Sequence, residues 1–386
     1  MASIRLPQGW TWEELAAQLE VQLDLEASSR ATGAIRRRRA VTGAGQLLRL
    51  VLGYVLSGLS FRGTAAWAEA GGYGSLSDVA LLKRMRRCAP WLRYLVSTLA
   101  TLGCPEASVG AERRIVAVDA TAICGPGDKQ DYQLLHTVYD VTAQCFRATE
   151  LTDRHTAERL DVGEIERGEI RLGDRAYGRW RDLRAVVEAG ADYVVRLSAN
   201  ALKLRTPAGE AIKRSVLCKQ AETQGIQDVT LSIHAGVGKE QMVARLIVLP
   251  LPEDKATAAR RLMRKKACKS GYTASPEALA TAGCLMLITS LPRDAFSAQS
   301  ILALYRRRWQ VELAFKRLKS LIGLEDIRLH DSELIGAWIH AILLVALLID
   351  NERPSLHREA PDSPHWALHA VSRSHSGASS LCDASL

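Results

Sequence analysis

The amino-acid sequence predicts a mixed α/β protein in which helices come first, a sheet of strands and helices follows, and a long amphipathic helix and an apolar helix close the pattern. Three observations lead there. Helical periodicity fills the chain up to Cys104 and turns strand-like after Arg113. Short apolar runs ending in Gly, Pro or Asp alternate with amphipathic stretches between Ile115 and Leu197. The texture changes again between Ala199 and Thr281, and strand character returns at Cys284.

The elements follow in order. Arg36-Arg37-Arg38-Arg39 precedes an apolar helix at Gln46–Leu59. A helix pair is expected at Gly63–Ala70 and Ser77–Arg87, separated by Gly71-Gly72-Tyr73-Gly74, with Ser77 or Ser75 as N-cap. The second helix of the pair ends in Lys83, Arg84, Arg86 and Arg87. Two readings stay open: a helix–turn–helix that lays Lys83, Arg84 and Arg87 on DNA, or a solvated helix end whose cations offset the macrodipole.

Beyond Arg113, Ile115–Val118 is a short strand ending at Asp119, and Gly125-Pro126-Gly127-Asp128 is a turn before strands at Tyr132–Val141 and Phe146–Leu151. Thr156–Glu166 has helical spacing. A strand at Ile170–Leu172 ends in Gly173-Asp174, followed by a helix to Ala189 and a strand at Tyr193–Leu197. Within the interruption, Val229–Ile233 and Met242–Leu249 are strands and Lys255–Lys269 is a very basic helix or loop. Cys284–Thr289 is a strand, Phe296–Leu324 one long amphipathic helix, and Ser332–Ile349 an apolar helix. From Asn351 to Leu386 the composition has no periodicity, which predicts a loose tail.

Composition narrows the class. The 386 residues carry 51 Lys+Arg against 42 Asp+Glu, a net charge of +9, with 47% hydrophobic and 24% charged residues. Those proportions exclude disorder as the main state. Neither Gln46–Leu59 nor Ala337–Ile349 supplies the roughly eighteen apolar residues of a bilayer span, so both are expected as buried helices. The N-terminus lacks a signal-peptide pattern, and eight scattered cysteines offer no Cys-x-x-Cys pair. A cytoplasmic protein without membrane contact is the expectation. No internal repeat is visible. Gly236-Val237-Gly238-Lys239 lacks the upstream glycine of a P-loop, and His136, His155 and His234 have no recognisable nucleophile beside them.

Three carboxylates stand out. Asp119 and Asp174 each follow an apolar strand, where an α/β sheet presents side chains to a crevice. The third comes from the long amphipathic segment: counting from Tyr305 at about 100° per residue, Arg308, Glu312 and Lys319 share one stripe about 60° wide. Leu304, Val311, Phe315, Leu318 and Leu321 form the core stripe beside it. Glu312 is thus placed at the edge of the core, where a carboxylate is costly unless paired or metal-bound. A surface ion pair between Arg308 and Glu312 is the plainer alternative. Taken together, three acids from separate segments of one basic α/β protein point to Mg²⁺ or Mn²⁺, and two such ions serve phosphodiester chemistry. Arg308 and Lys319 would bind DNA phosphates, and Tyr305 would hydrogen-bond a phosphate or pack on the sugar.

The run Tyr305-x-x-Arg308-x-x-x-Glu312-x-x-x-x-x-x-Lys319 resembles the Y-(2)-R-(3)-E-(6)-K signature of the IS4-family DDE transposases, and Val118-Asp119 and Gly173-Asp174-Arg175-Ala176-Tyr177 resemble that family's two aspartate motifs. The resemblance spans Glu112 to Leu324. It implies an RNase H-like core at 109–198 and 282–350, a β-rich insertion at 199–281 and a helical DNA-binding domain at 1–108, which leaves the compositional tail at 351–386 outside it. It also implies catalysis by Asp119, Asp174 and Glu312 through two divalent ions, with water cutting the transposon end and the freed 3′-hydroxyl attacking target DNA. Further implications are a DNA contact by Arg175, terminal inverted repeats as the DNA bound, and a homodimer on DNA; Trp309, inside the signature, either stacks on DNA or covers the sheet edge. Some relatives hold a flipped base with an aromatic residue of the insertion; here that segment offers only Tyr272. Two rival functions are a nuclease with the same core that cuts without strand transfer, and a DNA-binding repressor with inert acids.

Overall fold

The structure is a computed structural model that describes residues 11–103, 113–124, 132–198, 202–234, 240–321, 327, 329 and 331–351. The expected turn at Gly125–Asp128, the Gly236–Lys239 segment and nearly all of the tail lie outside the described residues.

Five helices come first: α1 (Trp12–Gln22), α2 (Leu25–Ala31), α3 (Ala44–Ser57), α4 (Phe61–Ala70) and α5 (Asp78–Leu102). Local chemistry sets their starts. Thr11 and Glu14 form a reciprocal capping box on α1, and Asp24, Ser60 and Ser77 cap α2, α4 and α5. Gly43 has no side chain to cap α3, so Glu26 does it from α2, its Oε1 accepting from the Ala44 N–H at 2.6 Å. A Cβ on Gly43 would come within 2.9 Å of that oxygen. The sequence placed the end of α5 at Arg87, but the helix runs on to Leu102 through Pro90. Trp91, Leu92, Leu95, Val96 and Leu99 are all buried after it, and that packing offsets the hydrogen bond Pro removes.

Among the described residues, nine strands form one sheet in the order β3-β2-β1-β4-β5-β9-β8-β7-β6. They are β1 (Ile115–Cys124), β2 (Tyr132–Asp140), β3 (Cys145–Asp153), β4 (Ile170–Gly173), β5 (Asp192–Arg196), β6 (Lys203–Arg205), β7 (Gln227–His234), β8 (Gln241–Pro250) and β9 (Cys284–Thr289). β1, β4 and β5 are parallel, and every other pairing is antiparallel. β1 does not stop at Asp119, as its apolar run suggested; pairing with β2 carries it to Cys124. Its parallel ladder with β4 does end just before, at Ala117 opposite Leu172.

The helical spacing at Thr156–Glu166 is overturned: that segment is irregular. Gly163 holds a left-handed φ of 66° and passes so close to β3 that a Cβ would meet that of Ala148 at 2.9 Å. The backbone carbonyls of this segment are satisfied by a side chain instead of a helix. Arg171, fully buried on β4, donates to Leu160 O at 2.7 Å, Val162 O at 2.8 Å and Glu164 O at 2.6 Å.

The texture change after Ala199 does not produce a separate sheet, because β8 pairs with β9 and carries β7 and β6 outward on the same one. The segment also contains α7 (Arg214–Gln224), α8 (Glu253–Lys269) and α9 (Pro276–Ala282), so it is mixed rather than β-rich. Lys255–Lys269 falls within α8 and is helical.

One face of the sheet packs on α6 (Trp180–Glu188) and α7. The other receives the N-terminal helices together with α10 (Ala298–Arg307), α11 (Trp309–Leu321) and α12 (Ser332–Asn351), in one apolar cluster that runs from Leu15 to Leu348. The single long helix expected at Phe296–Leu324 is broken at Arg308 into α10 and α11. α12 lies along α5, α3 and β3. By length and apolarity Ser332–Ile349 would cross a bilayer, yet 72% of it is buried inside this fold, as a core helix requires.

Candidate active site

Strand alternation sets the site. On β1, Ile115 and Ala117 face the cluster containing α11, while Val116 and Val118 face the opposite layer. Asp119 therefore shares a face with Ala117, under α11, which packs on β1. Ala117 pairs with Leu172, and Leu172 with Val194. Two residues further along each parallel strand come Asp119, Asp174 and Arg196, side by side where the ladder ends. Adjacent strands place such neighbours about 5 Å apart in their backbones.

Asp174 ends β4 and caps a single 3-10 turn, Arg175–Tyr177, its Oδ1 accepting from the Ala176 N–H at 2.7 Å. Capping and a role at the site are thus compatible in one residue.

α11 supplies the third acid. Arg308, at the break between the two helices, reaches down with one amino group 3.5 Å from Asp119 Oδ2 and the other 2.5 Å from Glu312 Oε1. The ion pair predicted from the four-residue spacing exists, but it is not at the surface. The side chains of Arg308, Glu312 and Asp119 are only 9%, 10% and 17% exposed. The Arg308 guanidinium also stands 5.8 Å from the ring centre of buried Tyr305.

The electrostatics are strained in a consistent direction. Burial pushes the Asp119 carboxyl up to about 8 against the pull of Arg308, with Asp174, Glu312 and Glu158 adding to the rise. Burial opposes the Arg308 charge, but Tyr305, Asp119, Glu312 and Asp174 more than offset it and hold the guanidinium charged. Tyr177, buried beneath, has its hydroxyl driven well up by burial and by Asp119, Glu158 and Asp174. That hydroxyl and the Arg308 Nε are both buried without a hydrogen-bond partner among the described groups.

Residues 110–348 match the family model described as the transposase DDE domain. The InsL protein for insertion sequence element IS186A of Escherichia coli (strain K12) is 37% identical over 350 residues, 89% of this chain and 95% of that protein. The transposase for insertion sequence element IS421 of Escherichia coli is 37% identical over 351 residues, with 89% of this chain and 95% of that one covered. A more distant relative, the transposase for insertion sequence element IS231F of Bacillus thuringiensis subsp. israelensis, is 24% identical over 194 residues, 47% of this chain and 41% of that protein.

The chain belongs to the IS4-family DDE transposases. Enzymes of this family use divalent metal ions and act on DNA. The residues present fit such an ion: they offer hard carboxylate oxygens, and burial above all, with Asp174, Glu312 and Glu158 adding to it, raises the Asp119 carboxyl despite Arg308, a cost that a bound cation would relieve. Among the described residues no three metal-ligating side chains already close into a cage, and the Arg308 guanidinium sits between two of the acids instead.

Of the other residues singled out in the transposase sequence, Arg175 follows Asp174 directly and is half-buried; burial and Arg196 lower its pKa to about 10, which Tyr305 and Asp174 oppose. Trp309 and Lys319 are half-buried on the first and last turns of α11. Lys83 and Arg87 are exposed and Arg84 half-buried on α5. Their neighbour Arg86 is tied to Asp331 at 2.8 Å and Glu333 at 3.7 Å. Tyr272 is exposed just past α8.

Two nearby residues escaped the sequence reading. Burial and Asp174 raise the Glu158 carboxyl to about 7 while Arg179 opposes, and the wrong helix at Thr156–Glu166 had hidden this residue. Arg196, buried at the end of β5, could have been found by counting strand parity from Asp174.

Proposed function

We propose that Asp119, Asp174 and Glu312 are the catalytic carboxylates of this transposase and hold two Mg²⁺ or Mn²⁺ ions. The observation that carries the reading is the buried Arg308 guanidinium, which joins Asp119 on β1 to Glu312 on α11 while sensing Asp174. When bound, two such ions would activate the attacking oxygen and stabilise the leaving one. The protein's own residues do the rest. Arg308, Arg175 and Lys319 neutralise and orient the scissile phosphate, Tyr305 packs against the sugar or donates to the phosphate, and Trp309 flanks the DNA path. Water attacks the phosphorus at the transposon end and the 3′-oxygen leaves. The freed 3′-hydroxyl then attacks a target phosphodiester, whose own 3′-oxygen departs.

The parallel β1-β4-β5 centre, with acids at its carboxyl ends, supports an RNase H-like core at 109–198 and 282–350. The same reading assigns 199–281 as the insertion, the helices of 1–108, with Lys83, Arg84 and Arg87, as the part that grips the terminal inverted repeats, and a homodimer as the form that pairs two ends. The test is substitution: Asp119→Asn, Asp174→Asn and Glu312→Gln should each lower Mg²⁺-dependent cleavage of transposon-end DNA by about a thousandfold or more while end binding persists. Joined products with a target plasmid mark transposition, and nicks alone would mark a nuclease. Undiminished cleavage in any of the three variants would remove that residue from the site.

A further inference from the structure

The strongest unassigned feature is the cationic half of α8. Its apolar side is set by Ala256, Ala259 and Ala267, which are buried, and the helix packs on α9. The opposite side exposes Arg261, Arg264, Lys265 and Lys269. Ion pairing on this helix is confined, among the described residues, to Lys255 and Arg260, whose partners are Asp254, Glu222 and Glu253. The helix's own acids stand about 18 Å from Lys266, so the C-terminal half carries uncompensated positive charge.

A solvated helix end explains only part of this. Cations in the last turn, Lys266 and Lys269, favourably meet the macrodipole. Arg261, Arg264 and Lys265 lie further in, and their i,i+3 and i,i+4 spacings to one another and to Lys269 set like charges side by side, which destabilises a helix. An external polyanion removes that repulsion.

The direction of the patch decides which polyanion. Lys266, half-buried at the edge of this face, has its pKa lowered by burial and by the neighbouring Arg175 guanidinium. Arg175 adjoins Asp174 in sequence and shares the environment of Arg196 and Tyr305. Through β9, β8 runs parallel to β5, and its end, Pro250 opposite Cys284, lies at the edge of the sheet where Asp119, Asp174 and Arg196 line up, so α8 leaves the sheet at the site's end. From Arg261 to Lys269 it runs about 12 Å, the axial length of three to four phosphates of one strand.

We propose that the C-terminal half of α8 is a backbone-binding surface for duplex DNA, where Arg261, Lys265 and Lys269 seat phosphates a few nucleotides from the one held over Asp119, Asp174 and Glu312. It rests on the active-site reading above, and its test separates the two. Contacts of this kind position the duplex without reading bases, so they add salt-dependent affinity and no sequence preference.

The probe is a duplex spanning one end of the insertion sequence that encodes the chain, bound by the full-length protein between about 50 and 200 mM salt. The triple variant Arg261→Gln, Lys265→Gln, Lys269→Gln changes only exposed positions to a good helix former. Its slope of log affinity against log salt should fall by up to about 2.7, about 0.9 for each cation removed, with affinity about tenfold or more weaker at low salt. The charge-keeping variant Arg261→Lys, Lys265→Arg, Lys269→Arg should retain the wild-type slope. Cys268 is exposed in the middle of this face and is the only exposed cysteine among the described residues. An iron chelate attached there should cut the bound duplex within a few nucleotides of the scissile phosphate. Wild-type protein that binds the duplex while the glutamine variant keeps the full slope, or a chelate that leaves the bound duplex uncut, overturns the α8 surface alone. Wild-type protein that binds no duplex overturns both readings.

Discussion

Arg308 shows how much one side chain's depth matters. At the surface, an Arg–Glu pair four residues apart contributes about 0.3–0.5 kcal/mol and organises nothing else. Buried, with Asp119 as a second partner, the same guanidinium holds a strand and a helix in fixed relation, and removing it would strand two carboxylates. His340 is a second buried group whose state the fold dictates. Its Nδ1 donates to Gly336 O at 2.6 Å within α12, and burial, aided by Arg93 of α5 and opposed by that hydrogen bond, lowers its pKa to about 4. The unfolded chain takes up this proton near pH 6.5, the folded one only near 4. The contribution is thus complete above about pH 6.5 and lost as pH falls toward 4, on the order of 3 kcal/mol. Denaturant titrations of wild type and His340→Gln across that window should differ in pH slope. Parallel slopes would show that His340 is protonated in the native state.

At the scale of elements, the irregular run at Thr156–Glu166 depends on a single side chain. Arg171 satisfies three of its carbonyls and is itself paired with Glu169 at 2.6 Å, which in turn binds Arg147 at 3.0 Å. Arg171→Met keeps most of the volume and removes every donor, leaving Glu169 buried with less charge compensation. The expected cost is about 3–5 kcal/mol. Hydrogen exchange and limited proteolysis should then localise the first opening to this run, and since Glu158 lies in it, cleavage should weaken as well. Uniform loss of protection across the sheet would argue against a local anchor. Elements with strong local signals were legible in advance: caps at Ser77, alternation in β7 and β8, apolar periodicity in α12. α7 and α9 were missed because their apolar faces are narrow, and the break at Arg308 was missed because helical periodicity continues across it.

For the molecule as a whole, one apolar cluster of described residues from Leu15 to Leu348 joins the N-terminal helices to the layer that carries Glu312. α5 and α12 pack against each other, so damage to one should be felt by both. Leu95→Ala should cost about 2–5 kcal/mol and lower the melting temperature of the entire chain. Far-ultraviolet circular dichroism and tryptophan fluorescence should report coincident transitions. Two separated transitions would mean that the helices fold as their own domain. By itself the sequence determined the α/β class, the order of most strands and helices and the family, and it singled out the three candidate acids, because these are written in local periodicity and in fixed spacings along the chain. Only the tertiary structure decided that Arg308 sits between Asp119 and Glu312, that Arg196 lines up beside Asp174, that the interruption extends the main sheet, and that α8 leaves that sheet at the site's end. Those facts depend on which distant segments share a strand edge or a helix face, and desolvation and register act across the fold in ways that a linear pattern does not record.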